Sequence, residues 1–163
     1  MSERIIDLMK QYPEKKQELA VLQVQIKNFK GVTEDEVIDS MQFSSPQGER
    51  VQSSDISDKT ARVAISYRER TKQINDEWYS YLVEQYTTLR DELEFFEFAL
   101  TQLSGQLSGI MHDLVIGQCT WEQVMEHYHI SRKTLWRYRQ KAITELDRLY
   151  EMRDRQFDAY ILN

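Results

Sequence analysis

The sequence predicts an all-α protein: a long helical, coiled-coil part over residues 1–103, followed by a helix-turn-helix over residues 104–163. Three observations predict it. Gly and Pro number 5 and 2 in 163 residues, too few for the many turns of a β-sandwich or barrel. Hydrophobic residues make up 40% and charged residues 29%, the balance of a globular chain rather than a disordered one. From Tyr79 onward, apolar residues recur alternately three and four apart, the signature of a helix packed along a seam.

Residues 2–30 read as helical with a bend at Tyr12-Pro13, because Pro at the first position of a new helix sacrifices no hydrogen bond. Beyond the bend, Leu19, Leu22, Ile26 and Phe29 form one apolar stripe, and Gly31 is placed to close the helix in a left-handed cap. Residues 40–57, rich in Ser and Gln with Pro46 and Gly48, read as a loop. Ser57 or Asp58 is then the N-cap of a long helix, with Lys59, Thr60, Ala61 and Arg62 in its first turns.

That helix carries Tyr79, Leu82, Tyr86, Leu89, Leu93, Phe96, Leu100 and Leu103, a heptad seam widened by Trp78, Tyr81 and Phe95. The seam has two candidate partners: residues 14–30 folded back as an antiparallel hairpin, or the same helix of a second subunit. Residues 14–30 span only ~25 Å against ~36 Å of seam, which favours a homodimer through residues 79–103. Ser104-Gly105 and Ser108-Gly109 then interrupt the pattern. Gly costs about 1 kcal/mol relative to Ala inside a helix, so the domain boundary is expected near Ser104.

The C-terminal module resolves into three short helical segments. Leu107, Ile110, Met111, Leu114 and Val115 share one face, and Gly117 ends that helix. Thr120 with Gln123 three residues on is a capping box for a helix from Trp121 to about His127, with Trp121, Val124 and Met125 turned inward. Ser131 caps a further helix from Arg132 to about Arg153, with Leu135, Tyr138, Ala142, Ile143, Leu146 and Leu149 on its inner face. Two helices joined by so short a turn cross steeply, so one can lie over the phosphate backbone while the next enters the major groove.

Charge is segregated along the chain. Residues 1–130 carry a net −9 and residues 131–163 a net +3, and the stretch 131–141 alone holds five cations and no acid. Attraction to a polyanion is therefore confined to one local patch. The expected double-stranded-DNA-binding residues are Ser131, Arg132, Lys133, Thr134, Trp136, Arg137, Arg139, Gln140 and Lys141. Arg132 and Arg137 suit guanine edges and Gln140 suits adenine, whereas Lys133 and Arg139 suit phosphate.

The stretch Gly117 to Leu146, GQCTWEQVMEHYHISRKTLWRYRQKAITEL, resembles the sigma-70 region 4 helix-turn-helix. The likeness rests on Thr120, Trp121, Glu122, Val124, Ile130, Ser131, Arg132, Leu135, Lys141, Ala142, Ile143 and Leu146. The sequence departs from that pattern twice. Met125 stands where a small residue usually packs the helices together, and His129 stands where the turn usually has a left-handed Gly. Ser54 to Arg70, SDISDKTARVAISYRER, preceding a long helix and such a module, is similar to the RinA/ArpU-type late-transcription activators of phages and prophages of Gram-positive bacteria. The resemblance covers roughly residues 54–152. It implies promoter-proximal DNA binding and activation of late phage genes; the acidic helical part is then expected to contact host RNA polymerase, in the cytoplasm of the bacterial host. No sigma region 2 is evident, so promoter melting is not expected of this chain.

Other chemistry is poorly supplied. Cys119 is the one cysteine, and His112, His127 and His129 lie scattered on a helix and a turn, so neither a disulfide nor a metal site is expected. Asp91, Glu92, Glu94 and Glu97 read as a solvated helix face. With no phosphate-binding glycine motif either, no enzyme activity, catalytic residue or cofactor is expected. No apolar run is long enough for a membrane span, and the N-terminus lacks the apolar core of a signal peptide. The competing functional readings are a phage DNA-packaging recognition subunit of the small terminase type and a protein-binding sigma-like adaptor.

Overall fold

The computed structural model describes the backbone of residues 2–44 and 56–162 and the side chains of residues 3–39 and 62–162. These residues form six helices and no strand, the all-α class expected: α1 (Ser2–Lys27), α2 (Glu34–Ser44), α3 (Ile56–Thr101), α4 (Leu107–Val115), α5 (Trp121–Tyr128) and α6 (Arg132–Ile161). Two compact units divide the chain. The first joins Met1–Ala20 to Thr88–Asn163, and the second is Val21–Thr87. The boundary expected near Ser104 therefore falls inside the first unit. The Ser-Gly pairs end one helix and begin another, but they do not separate two cores.

The first unit explains why. Ile5, Leu8, Met9 and Tyr12 of α1 bury against Leu93, Phe96, Ala99, Leu100 and Leu103 of α3, and the same core takes in Leu107, Met111 and Val115 of α4 with Ala142, Ile143, Leu146 and Tyr150 of α6. Each Leu, Ile, Val, Met or Phe side chain among them gains roughly 1.5–3 kcal/mol on burial. Polar pairs flank the contact: Lys15 reaches Glu92 at 2.8 Å, and Glu97 accepts from both Tyr12 (2.6 Å) and Lys16 (2.9 Å). Phe95 meets Tyr150 edge-on at 4.9 Å, and the Arg153 guanidinium stacks over both rings. Burial pushes the Tyr150 phenol up to about 12, and its hydroxyl has no hydrogen-bond partner among the described residues.

Pro13 lies inside α1 and does not end it. An interior proline costs ~3 kcal/mol, and here Tyr12 before it and Lys15 and Lys16 after it all bond to α3, so continuity of the helix is worth more. The new helix expected to begin at Pro13 is corrected accordingly: α1 runs unbroken from Ser2 to Lys27. With it goes the shortness of the N-terminal partner, because the residues that cover Leu93 to Leu103 precede Pro13. The lower half of the seam is thus closed within the chain, and the homodimer expected through the whole of residues 79–103 is not available there.

In the second unit, Phe29 packs edge-on against Trp78 (5.3 Å) and Tyr79 (5.1 Å). Gly31 is left-handed (φ 74°), as anticipated, but it lies four residues beyond the end of α1 and so is no helix cap. A Cβ there would stand 2.4 Å from the Asn75 side chain, whose amide accepts from the Val32 N–H at 2.7 Å and donates to the Val32 carbonyl at 3.1 Å. α2 was not foreseen, and it enters the segment read as a loop. Its signal was present as a capping box: Thr33 Oγ1 accepts from the Glu36 N–H, and the Glu36 carboxylate accepts from the Thr33 N–H. Residues 45–55 of the expected loop, and the side chains of Ser57 to Ala61, lie outside the described residues. α3 begins at Ile56, ahead of the expected cap.

Candidate nucleic-acid interface

The candidate site is built on α4, α5 and α6, which pack on one another around Ile110, Val124 and Leu135. Trp121, Met125, Tyr128, Ile130 and Tyr138 close the edges of this small core, half-buried. Met125 is accommodated where the family pattern has a small residue. The capping box forms as read: the Gln123 N–H donates to Thr120 Oγ1 at 3.2 Å and the Thr120 N–H to Gln123 Oε1 at 2.8 Å. Just before it, Gln118 is also left-handed (φ 52°), its side-chain amide donating to the Val115 carbonyl.

Three residues then turn the chain from α5 into α6. His129 is left-handed (φ 53°, ψ 45°), and the Ile130 N–H returns to the Met125 carbonyl at 3.1 Å. A non-glycine residue in this region costs ~1 kcal/mol, met here by closing the end of α5 and burying part of Ile130. Ser131 then caps α6, its hydroxyl accepting from the Thr134 N–H at 3.2 Å. Tyr128 braces the turn from below by donating to Asp113 at 3.0 Å. Burial, and then this bond to an anion, raise the Tyr128 phenol above its ordinary value.

The nine expected contact residues do not share one face. Successive residues turn about 100° around a helix, and burial along α6 follows that period. Lys133, Arg137, Thr144 and Arg148 are exposed, and with half-buried Gln140 they form the outward stripe opposite Leu135, Ala142 and Leu146. Trp136, 54% exposed, borders the stripe on one side, and exposed Lys141 borders it on the other. Arg139 falls nearer the inner face, ~120° from Lys133 and ~160° from Arg137 around the helix, and is half-buried. Arg132 lies ~140° around the helix from Arg137, so the two do not point together. Arg132 instead stands 5.7 Å over the Trp121 ring and 3.9 Å from Glu122, tied to the start of α5. Ser131 and Thr134 are engaged in the cap. Thr144 and Arg148 were not foreseen, although the spacing 133, 137, 140, 144, 148 already carried them.

The inner side of α6 is fixed by one ion-rich contact. The Glu145 carboxylate accepts from the Ser104 N–H (3.0 Å) and hydroxyl (2.7 Å), with Lys141 at 3.9 Å. Burial works to raise this carboxyl, but the two Ser104 bonds with Lys141 and Arg148 outweigh it and hold it below its ordinary value. The contact ties the α3–α4 joint to the helix that presents the cations.

No protein-family model, curated protein or solved structure matches this chain. Among the described residues, no helix is long and apolar enough to cross a membrane, and no group of His, Cys, Asp and Glu is arranged to hold a metal ion. Cys119 and His127 line a shallow groove with Asp113.

Proposed function

We propose that this chain is a sequence-specific DNA-binding transcriptional regulator that inserts the outward face of α6 into the major groove. The observation that carries this reading is the stripe of Lys133, Arg137 and Gln140 on the first turns of α6, in a stretch (131–144) that holds no carboxylate, supported by a capped, three-helix core. Its first turn follows a tight left-handed turn, so the positive end of the helix dipole lies at the end of α6 that carries Lys133. Arg137 and Gln140 have the donor geometry to read guanine and adenine edges, and Lys133 and Arg148 neutralise phosphate. α5 would lie across the backbone, with the Arg132–Trp121 stack fixing the angle between the two helices. The resemblance to phage late-transcription activators supports a promoter-proximal site and contact with host RNA polymerase.

Selection of bound duplexes from a random library, followed by footprinting of the enriched sequence, tests the proposal. Enrichment of a discrete motif whose recognition is lost in Arg137→Ala is the expected result. Retention of duplexes without any shared motif would overturn it.

A further inference from the structure

One side chain at the start of α6 is left uncovered by the fold. Among the described residues from 104 to 151, Trp136 is the one large hydrophobic side chain that stays exposed, at 54%. The other aromatic side chains of this stretch are engaged. Trp121 lies beneath the Arg132 guanidinium, Tyr128 donates to Asp113, Tyr138 packs on the small core, and Tyr150 meets Phe95 edge-on. The Trp136 indole makes no hydrogen bond, ring stack or cation–π contact among the described residues.

Its place on the helix says what it faces. Residues three and four apart are neighbours on a helix surface, so Trp136 stands beside Lys133 and Gln140 and next to the stripe that Arg137 continues. Arg132, four residues before it, is drawn aside toward Trp121 and Glu122. The stretch 131–141 holds five cations and no acid, so the surroundings of the indole attract a polyanion. An apolar protein partner would have to desolvate those cations, whereas duplex DNA neutralises them. In the major groove the faces of the bases are stacked on one another, and the apolar group that projects is the C5-methyl of thymine.

We propose that Trp136 is a specificity-determining residue that reads a thymine through its C5-methyl group, beside the bases met by Arg137 and Gln140. This rests on the placement of α6 in the major groove proposed above. Trp136 and Gln140 are separated by ~6 Å along the helix axis, and successive base pairs by ~3.4 Å. With α6 lying along the groove, the thymine falls within about two steps of the base that Gln140 reads. Burying one methyl group against the indole is worth about fourfold in affinity.

Deoxyuridine differs from thymidine by this methyl alone, so it isolates the contact. Each thymine of the duplex selected from the random library is replaced in turn, and fluorescence anisotropy measures binding by the full chain. At one position, wild-type affinity should fall about fourfold. Trp136→Ala should bind the thymine and deoxyuridine duplexes equally at that position, while still discriminating at the base that Arg137 reads. Thermal circular dichroism checks that the variant is folded, and Trp136→Gln replaces it if it is not. A motif without thymine, deoxyuridine tolerated at every position by the wild type, or a methyl preference that survives loss of the indole would overturn the proposal and leave the placement of α6 standing. Selection that enriches no shared motif would overturn both.

Discussion

Arg137→Ala and Arg139→Ala, two residues apart on α6, should act as different kinds of mutation. Two helical steps rotate a side chain by about 200°, and the structure follows that rotation: Arg137 is exposed, while Arg139 is half-buried beside the inner face. With the outward stripe in the major groove, Arg137→Ala removes a base-edge contact and costs about 1–3 kcal/mol of specific affinity, roughly 5- to 150-fold. Arg139→Ala removes packing by its aliphatic stem, so it should lower the unfolding midpoint and change affinity by no more than about twofold. Lys133→Ala provides the third arm. Each neutralised phosphate contributes about −0.9 to the slope of log affinity against log salt. Its loss should therefore flatten that slope by about one on specific and scrambled duplexes alike. Fluorescence anisotropy across a salt series, with urea unfolding of each variant, measures all three effects. Equal affinity losses for Arg137→Ala and Arg139→Ala at unchanged stability would refute the assignment of faces. So would an Arg137→Ala variant that keeps both its affinity and its base preference.

Three other predictions concern the scaffold. Gly109→Ala places a Cβ 2.8 Å from the Tyr128 hydroxyl, so it should destabilise the wild type by displacing the bond to Asp113, yet stabilise a Tyr128→Phe background by up to about 1 kcal/mol; thermal midpoints of the four proteins read this reversal of sign. Thr120→Ala removes one half of the α5 capping box and should cost about 1 kcal/mol in urea unfolding, with a smaller loss for Gln123→Ala. Glu145 is held below its ordinary value in the folded state, so its stabilising contribution is complete above the unfolded carboxylate pKa of about 4.3 and disappears as pH falls through the lower folded value. Glu145→Gln should accordingly flatten the acid limb of stability against pH, and an unchanged limb would show that the Ser104 contact does not contribute.

What could be read from the sequence, and what could not, divides by the range of the interaction. The turn from α5 into α6 was legible because each of its determinants acts within four residues: Thr120 on Gln123, His129 as the left-handed residue, and Ser131 on Thr134. The cations were legible as a cluster but not as a face, since their number is a composition and their direction a phase. That phase follows from the apolar face of Leu135, Ala142 and Leu146, which sets Arg139 on the side of the helix away from Arg137. Pro13 was misread for the opposite reason. Its local preference is strong, but its fate is decided by Phe96 and Glu97 meeting Tyr12 across 85 positions of sequence. The heptad seam shows this limit most sharply. Tyr79 to Tyr86 and Leu93 to Leu103 belong to one unbroken period, so nothing in their spacing distinguishes a half that the chain covers from a half that it leaves open. The difference comes from α4 and α6 returning over the C-terminal half alone. Intrachain helices close the seam from Leu93 to Leu103, where α1, α4 and α6 converge on α3.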